Sequence, residues 1–307
     1  MPDLTAIALA PDSARAWLAE PVEGGGATVV PAAAADGLVW TDPADPDGLS
    51  ALLDAHSQIR WVQLPWAGIE PYVDVVQSHA ERTWTCAKGV YAEPVAEHAL
   101  ALALAGLRHV GAYARNKAWS RGVGVNLLGA RVVVLGGGGI TGSLLRLLRP
   151  FGCDVTVVRR TPTPMEGARR VVAEAELDDA LRDATLVVLA LALTPQTTGI
   201  IDRRRLELLA PDAWVVNVAR GAHIITDDLV AVLAEERIGG AALDVTDPEP
   251  LPDGHPLWSE PRCIVTPHTA NTIEMAIPLL GERVRQNVRR RIAGEPLLGL
   301  VDPAVGY

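Results

Sequence analysis

Four consecutive glycines, at residues 136–139, stand between an apolar run and a helical pattern in the stretch VVVLGGGGITGSLLRLL. Glycines at the junction of a strand and a helix permit a tight turn, and they let backbone N–H groups approach a pyrophosphate at the helix N-terminus. The stretch therefore predicts a βαβ unit that binds a dinucleotide. A flexible loop is the alternative, and the strand and helix patterns on either side argue against it.

Two registers of the Gly-x-Gly-x-x-Gly fingerprint fit this turn. The literal register uses Gly137, Gly139 and Gly142. The other register uses Gly136 and Gly138 with Thr141 in the third position, and it keeps the usual distance to the Pro-Phe-Gly segment after the helix. We prefer the second register, in which Thr141 stands where a glycine normally lets helix and strand pack closely.

Composition argues against several classes of protein. The chain has 307 residues and a net charge of −10, which argues against a nucleic-acid partner because such partners are bound through clustered Lys and Arg. Its apolar runs fall well short of the roughly 20 residues that a membrane span needs. The N-terminal residues lack the pattern of a signal peptide, and the three cysteines fit no metal-binding spacing. We expect a cytoplasmic protein with no metal site and no membrane contact.

Apolar runs divide the chain into two α/β sections. Short runs in the first hundred residues alternate with helical or turn-rich stretches, which favours a small parallel domain. The runs from Ala130 onward are almost continuously apolar, as in strands that are buried on both faces of a parallel sheet. The sequence thus predicts an α/β fold with two Rossmann-like or flavodoxin-like domains, the second a doubly wound parallel sheet.

Two helical patterns mark the domain boundaries. The first begins near Pro94 and is apolar on nearly every face, so we expect a long buried helix that joins the domains. The second begins with Asn271 and Glu274 at the spacing of a capping box, and it returns the chain to the first domain. The predicted division is a substrate domain of residues 1–100 and 275–307 and a dinucleotide-binding domain of residues 101–274.

Further segments carry a resemblance to a known family. They are YAEPVAEHALALALAGLR, LTPQTTGII, VVNVARGAHI, AALDVTDPEPL, VTPHTAN and the ending EPLLGLVDPAVGY. Together with the glycine turn, they resemble the D-isomer-specific 2-hydroxyacid dehydrogenases, and in particular the glyoxylate/hydroxypyruvate reductases, over nearly the whole chain. The resemblance implies a nicotinamide-dependent enzyme with a substrate cleft between its domains. It also implies a homodimer to which the long helix after Pro94 contributes.

Three charged residues offer the chemistry of such an enzyme. Interconversion of a 2-hydroxy acid and a 2-oxo acid requires a cation for the carboxylate, a proton donor at the carbonyl oxygen and a hydride carrier. Arg220 follows an apolar strand, where open α/β sheets bind ligands, and its planar guanidinium suits a carboxylate. His268 follows another strand, and histidine is the usual acid/base near neutral pH. Glu249 is its candidate acidic partner, and the resemblance assigns the same three catalytic roles.

The resemblance also implies contacts outside this trio. It places Asp244 near the nicotinamide, and it gives the backbone N–H groups of Ala67 and Gly68 to the substrate carboxylate. Trp66 is a candidate wall of the substrate pocket, with packing in the core as an equal alternative. We expect His98, on the long helix, to have a core or interface role. The predicted cofactor contacts are Gly136, Gly138, Gly139, Ile140, Thr141, Arg159, Arg160, Thr161, Thr194, Pro195, Val218 and Asp244.

The end of the second strand after the glycine turn predicts which nicotinamide cofactor is used. NAD-selective domains place an acid there, about 20 residues beyond the turn, to bind the ribose hydroxyls. Here the position is occupied by Arg159, and Arg160 and Thr161 follow, which together offer two guanidinium groups and a hydroxyl to a 2′-phosphate. We therefore expect NADP(H) to be preferred, with NAD(H) as the alternative.

These observations predict an oxidoreductase that transfers a hydride between NADP(H) and a 2-oxo acid or D-2-hydroxy acid, in the reductive direction. One alternative is a dinucleotide-sensing, corepressor-like protein, although the complete set of Arg220, Glu249 and His268 favours an enzyme. Another is an NAD-dependent phosphoglycerate-type dehydrogenase, which we disfavour because the sequence shows no additional regulatory domain. The particular 2-oxo acid is left open, since pocket shape decides it.

Overall fold

A computed structural model describes residues 5–303 of the chain. Residues 1–4 and 304–307, the latter being the end of the family-like C-terminal segment, lie outside the described residues. The chain divides into two compact units, Met1–Tyr91 with Thr272–Tyr307, and Ala92–Asn271. The second unit thus begins at residue 92 rather than 101 and ends at residue 271 rather than 274. The earlier start reflects the helix at Ala92, which packs within the second unit.

The first unit is built on a five-stranded parallel sheet with the order β2-β1-β3-β4-β5. Its strands are β1 (Ala6–Ala10), β2 (Thr28–Val29), β3 (Gly37–Trp40), β4 (Trp61–Gln63) and β5 (Thr83–Thr85). Its helices are α1 (Arg15–Gly24), α2 (Pro46–Ala55), α3 (Val73–Ser78) and, last in the chain, α11 (Ile273–Ala293). The C-terminal helix α11 packs against α1, and the strand order is that of flavodoxin-like sheets.

The second unit is built on a seven-stranded parallel sheet with the order β12-β11-β10-β9-β6-β7-β8. Its strands are β6 (Arg131–Leu135), β7 (Asp154–Val158), β8 (Arg170–Val172), β9 (Leu186–Leu189), β10 (Trp214–Asn217), β11 (Gly240–Leu243) and β12 (Cys263–Val265). Its helices are α4 (Ala92–Leu107), α5 (Val110–Arg115), α6 (Gly139–Leu148), α7 (Leu177–Leu181), α8 (Arg203–Leu206), α9 (Thr226–Ala234) and α10 (Pro256–Ser259). The predicted α/β fold with two parallel sheets is confirmed.

The sheet of the second unit is buried on both faces, as its almost continuously apolar strands predict. Val132 and Val134 of β6 belong to one apolar cluster together with residues of α4 and α6. Val133 and Leu135, which point to the opposite face, belong to a second cluster with residues of α7, α8 and α9. Helices therefore cover both faces of this sheet, so its edges and strand ends are the parts that can bind ligands.

The carboxyl ends of the seven strands form one edge of this sheet, because all the strands run in parallel. The chain order reverses between β6 and β9, which lie side by side although two strands separate them in the sequence. Open α/β sheets bind their ligands at such a switch point. The segments after β6, β7, β9, β10, β11 and β12, which hold most of the predicted site residues, all start from this edge.

Two helices differ from the sequence-based expectation. The long helix breaks after Leu107, because His109 takes a left-handed conformation with φ of 52°, and α5 continues the path. Helix α11 is capped by Thr272 rather than Asn271, and the Thr272 hydroxyl accepts a hydrogen bond from the Met275 N–H at 3.4 Å. Among residues 5–303, no helix combines the length and the apolarity needed to cross a bilayer.

Candidate active site

The glycine turn joins β6 to α6, and its geometry supports the register of Gly136, Gly138 and Thr141. Gly136 has φ of +104°, and a Cβ there would lie 2.1 Å from the carbonyl oxygen of Ala190, so only glycine fits. Gly138 caps the N-terminus of α6, and a Cβ there would meet nothing within 4 Å, which leaves room for a ligand. Thr141 is fully buried, and its hydroxyl donates to the Gly136 carbonyl oxygen at 2.8 Å.

Arg159 follows the carboxyl end of β7 and lies against the glycine turn. A Cβ added to Gly137 would stand 2.6 Å from both Cδ and Nε of Arg159. The half-buried Arg159 is followed by the exposed Arg160 and Thr161, and no Asp or Glu occupies this strand end. A cationic side chain therefore lies beside the turn whose backbone N–H groups and helix N-terminus suit phosphate groups.

The other predicted cofactor contacts are distributed along the same edge. Gly139 and Ile140 open α6, Thr194 and Pro195 lie in the segment after β9, and Val218 is buried just after β10. The segment after β9 is tied internally, since the Thr197 hydroxyl accepts from the Thr194 N–H at 2.8 Å and donates to the Ala192 carbonyl oxygen at 2.8 Å.

His223 also fixes this segment, and the sequence analysis did not single it out. Its side chain is fully buried. Nδ1 lies 3.0 Å from the Thr197 carbonyl oxygen, and Nε2 lies 3.2 Å from the Leu191 carbonyl oxygen. The ring therefore spans the two ends of the 191–197 segment. A histidine within the short run GAHI, whose other residues are small or apolar, was the available signal.

Arg220 follows β10, and two neighbours fix its backbone. The fully buried Asn217 donates from Nδ2 to the Arg220 carbonyl oxygen at 2.9 Å and accepts from the Ala219 N–H at 3.0 Å. Gly221 packs so closely that a Cβ would lie 1.9 Å from the Thr246 carbonyl oxygen. Both residues thus support the turn that presents Arg220. A polar residue at the end of the apolar strand WVVN was the signal that sequence reasoning left unused.

The structure brings His268 and Glu249 together. His268 Nδ1 lies 2.7 Å from Glu249 Oε1, with side-chain exposures of 54% and 41%. The second carboxylate oxygen of Glu249 accepts from the Thr246 N–H at 3.4 Å. A polar contact between two exposed side chains adds little stability, so this contact matters mainly for orientation. Because Nδ1 donates to the carboxylate, Nε2 is the nitrogen that can exchange a proton with a ligand.

The backbone at His268 is held in an uncommon conformation. Its φ is 50°, in the left-handed region that non-glycine residues rarely adopt. The His268 N–H donates to the carbonyl oxygens of Asp244, at 2.8 Å, and Thr266, at 3.0 Å. Such strain persists where the surrounding contacts determine it, and it is concentrated at functional sites. The loop after β12 is thus built to present one side chain.

Buried Asp244 also holds the loop after β12 in place. The carboxylate is 2% exposed and accepts hydrogen bonds from Thr266 Oγ1 at 2.6 Å, Thr269 N at 2.9 Å and Ala270 N at 3.0 Å. His98 Nε2 lies 3.3 Å from Asp244 and 3.1 Å from Thr266 Oγ1. Burial alone raises the pKa of Asp244, but the hydrogen bonds from His98, Thr266 and the two backbone N–H groups outweigh it and lower the pKa to about 2.

The remaining predicted residues, Trp66, Ala67 and Gly68, belong to the first unit. They follow β4 at the carboxyl edge of its sheet. Trp66 is half-buried, and its ring packs against Tyr91 with the ring centres 5.5 Å apart. Ala67 is exposed. Each unit therefore places its own predicted site residues beyond the carboxyl ends of parallel strands.

Known proteins are similar to this chain in sequence and in fold. The family model described as D-isomer specific 2-hydroxyacid dehydrogenase, NAD binding domain, matches residues 99–270. A protein of Corynebacterium melassecola, described as an uncharacterized protein in the proB 3′ region, is 39% identical over 260 residues, which cover 83% of this chain and 86% of that protein. Glyoxylate/hydroxypyruvate reductase A of Yersinia enterocolitica is 34% identical over 174 residues, which cover 57% of this chain and 55% of the reductase.

A solved structure extends the similarity to the whole chain. The crystal structure of a D-isomer specific 2-hydroxyacid dehydrogenase from Xanthobacter autotrophicus, in complex with NADPH and MES, has a TM-score of 0.82 and 26% identity. That alignment covers 99% of this chain and 100% of the Xanthobacter chain. The family resemblance predicted from the sequence motifs is confirmed. The chain belongs to the D-isomer specific 2-hydroxyacid dehydrogenase family, whose members are NAD(P)-dependent oxidoreductases.

Proposed function

We propose that this enzyme uses NADPH to reduce a 2-oxo acid to a D-2-hydroxy acid, with glyoxylate and hydroxypyruvate as the first candidate substrates. The observation that carries the proposal is the 2.7 Å contact between His268 Nδ1 and Glu249 Oε1, in the same unit as Arg220 and the glycine turn. The similarity to glyoxylate/hydroxypyruvate reductase A supports the choice of substrates.

The residues around the glycine turn fit a dinucleotide. Gly136 permits the tight turn, and Gly138 leaves the N-terminus of α6 open, the end of a helix that favours a pyrophosphate. Arg159, beside Gly137, would bind the 2′-phosphate of NADP(H), with Arg160 and Thr161 as further donors. The NADPH in the Xanthobacter relative supports this preference. Gly139, Ile140, Thr141, Thr194, Pro195, Val218 and Asp244 complete the proposed cofactor contacts.

The protein's own groups would handle the proton and the carboxylate. His268 Nε2 would donate a proton to the substrate carbonyl oxygen, while Glu249 holds Nδ1 and thereby fixes the ring. Arg220 would bind the substrate carboxylate through its planar guanidinium, and the N–H groups of Ala67 and Gly68 would bind it as well. Trp66 is proposed to contact the substrate. When bound, the nicotinamide supplies the hydride.

We also propose that the enzyme is a cytoplasmic homodimer. Apolar side chains that follow α4, among them Val110, Trp119 and Val123, are exposed, and Trp119 is fully so. Large exposed apolar groups on consecutive segments favour association with a partner. A monomeric mass in solution at micromolar concentration would contradict the proposed dimer.

The function is tested by steady-state assays with a panel of 2-oxo acids, including glyoxylate, hydroxypyruvate and bulkier acids, each with NADPH and with NADH. We expect oxidation of NADPH that depends on the 2-oxo acid. Binding of NADPH without turnover of any acid in the panel would instead support the corepressor-like alternative. Turnover with NADH but not NADPH would leave the enzyme class intact and refute the cofactor preference.

A further inference from the structure

Successive carbonyl oxygens in the 64–67 segment all accept hydrogen bonds from the first unit itself. Leu64 O accepts from Gln63 Nε2 at 2.8 Å, and Pro65 O accepts from Tyr91 Oη at 2.6 Å. Trp66 O accepts from Ala87 N at 3.0 Å, and Ala67 O accepts from Cys86 Sγ at 3.8 Å. Three of these donors come from the chain that follows β5. The carbonyl side of this segment is therefore held against the body of the first unit.

These hydrogen bonds to the carbonyl oxygens also fix the direction of the N–H group of each peptide. The peptides between Pro65 and Gly68 are trans, so each N–H points away from the carbonyl oxygen of the same peptide. The N–H groups of Trp66, Ala67 and Gly68 consequently point away from the chain after β5. Within residues 5–303, none of these three N–H groups donates a hydrogen bond. Successive N–H groups that face one way favour an anion such as a carboxylate.

We infer that Tyr91 is a positioning residue for the carboxylate-binding loop, an inference that rests on the proposed function of Ala67 and Gly68. Tyr91 makes two contacts with this part of the loop. Its hydroxyl donates to the Pro65 carbonyl oxygen, and its ring packs against the Trp66 ring. Tyr91 is 8% exposed. It lies just before α4, at the last residue of the first segment of its unit. Tyr91 thereby fixes the peptide between Pro65 and Trp66, whose N–H is the first of the three and precedes those of Ala67 and Gly68.

The chemistry of the Tyr91 hydroxyl suits this task. Burial raises the pKa of Tyr91, so the hydroxyl stays protonated and remains a donor throughout the physiological range. Without the hydroxyl, the Pro65 carbonyl oxygen would lie in a buried setting with no donor, and the peptide could rotate toward water. Such a rotation would turn the Trp66 N–H away from its present direction and loosen the next two peptides.

Tyr91→Phe tests the inference, because it removes only the hydroxyl and keeps the ring that packs on Trp66. We expect the KM for the 2-oxo acid to rise about tenfold, with kcat and the Kd for NADPH within about twofold of the wild type. The Ala87 amide should exchange its hydrogen about tenfold faster, because the Trp66 carbonyl oxygen that accepts from it becomes mobile. Hydrogen exchange measured by NMR reports this directly.

Tyr72→Phe is the matched control. Tyr72 is buried in the same unit, and its hydroxyl also donates to a backbone carbonyl oxygen, that of Asp42, outside the 64–67 segment. We expect Tyr72→Phe to cost stability while leaving the KM and the Ala87 exchange unchanged. An equal rise in KM for both variants would assign the effect to general loss of stability and overturn the inference.

The outcomes separate this inference from the proposed function. If the wild type reduces no 2-oxo acid, the proposed function fails, and the Ala87 exchange alone decides whether Tyr91 positions the segment. If the wild type is active and Tyr91→Phe keeps the wild-type KM, the proposed function stands and the inference is wrong. Unchanged Ala87 exchange in Tyr91→Phe would also overturn it, whatever the activity.

Discussion

Replacement of Asp244 by Asn should destabilise the second unit by about 2.5 kcal/mol at pH 7. The folded state lowers the pKa of this carboxyl from 3.8 to about 2. At about 1.4 kcal/mol per pKa unit, that difference corresponds to about 2.5 kcal/mol of stabilisation by the ionised form. Asn keeps the shape of the side chain, but its NH2 group would face one of the donors that now bind the carboxylate. The pKa-based value is therefore a lower bound.

The sign of the pH dependence follows from the direction of the shift. Because the folded pKa is lower than the unfolded one, the stabilisation is fully present above about pH 5 and is lost as the pH falls through the folded pKa of about 2. The difference in unfolding free energy between the wild type and Asp244→Asn should therefore shrink in acid. It should fall to roughly half of its neutral value near pH 3.

Urea denaturation at pH 7, 5 and 3 measures this difference. Asp253→Asn serves as the control, because Asp253 is exposed in the same unit and its replacement should change stability by less than about 0.5 kcal/mol. A loss below about 0.5 kcal/mol for Asp244→Asn at pH 7 would contradict this stabilising role of the Asp244 carboxylate. So would a loss that is equal at all three pH values, because it would reflect packing rather than the carboxylate charge.

Two further substitutions test the proposed ligand contacts. Arg159→Asp should lower the affinity for NADPH at least about tenfold, since a hydrogen bond to a charged group contributes roughly 1.5 to 3 kcal/mol, and should affect NADH far less. Measuring kcat/KM with each cofactor checks this, and a wild type that prefers NADH would contradict it. Arg220→Lys should raise the KM for the 2-oxo acid, because an ammonium cannot make the bidentate contact of a guanidinium. An unchanged dependence of the rate on substrate concentration would remove Arg220 from the binding site.

Local patterns in the sequence were sufficient to predict the fold. The continuous apolar runs after Ala130 predict strands buried on both faces, and alternate residues of β6 do lie in separate apolar clusters. The helix ends were harder to predict. The break after Leu107 depends on a left-handed conformation at His109, a residue that is neither glycine nor proline. Asn271 and Thr272 are both residue types that cap helices, so the sequence alone did not decide that the cap of α11 is Thr272.

The supporting residues of the site could not be predicted from local patterns, because their partners are far away in the chain. Asp244 bonds a loop more than twenty residues later, and His98 reaches Thr266 across the second unit. In the sequence, Asn217 is only a polar residue at the end of the apolar strand β10. Its role in supporting the turn at Arg220 follows from its hydrogen bonds in the structure. Motifs therefore indicated the candidate reacting side chains, and only the three-dimensional contacts identified what holds them.

The proposed function requires that His268, held by Glu249, transfers the proton during reduction of a 2-oxo acid. The most direct test compares NADPH turnover by the wild type and His268→Asn with the best acid of the panel, together with the Kd for NADPH. We expect turnover to fall by roughly 10²- to 10⁴-fold, the usual span for general acid/base catalysis, while NADPH binds as before. Turnover of His268→Asn within about threefold of the wild type would contradict it.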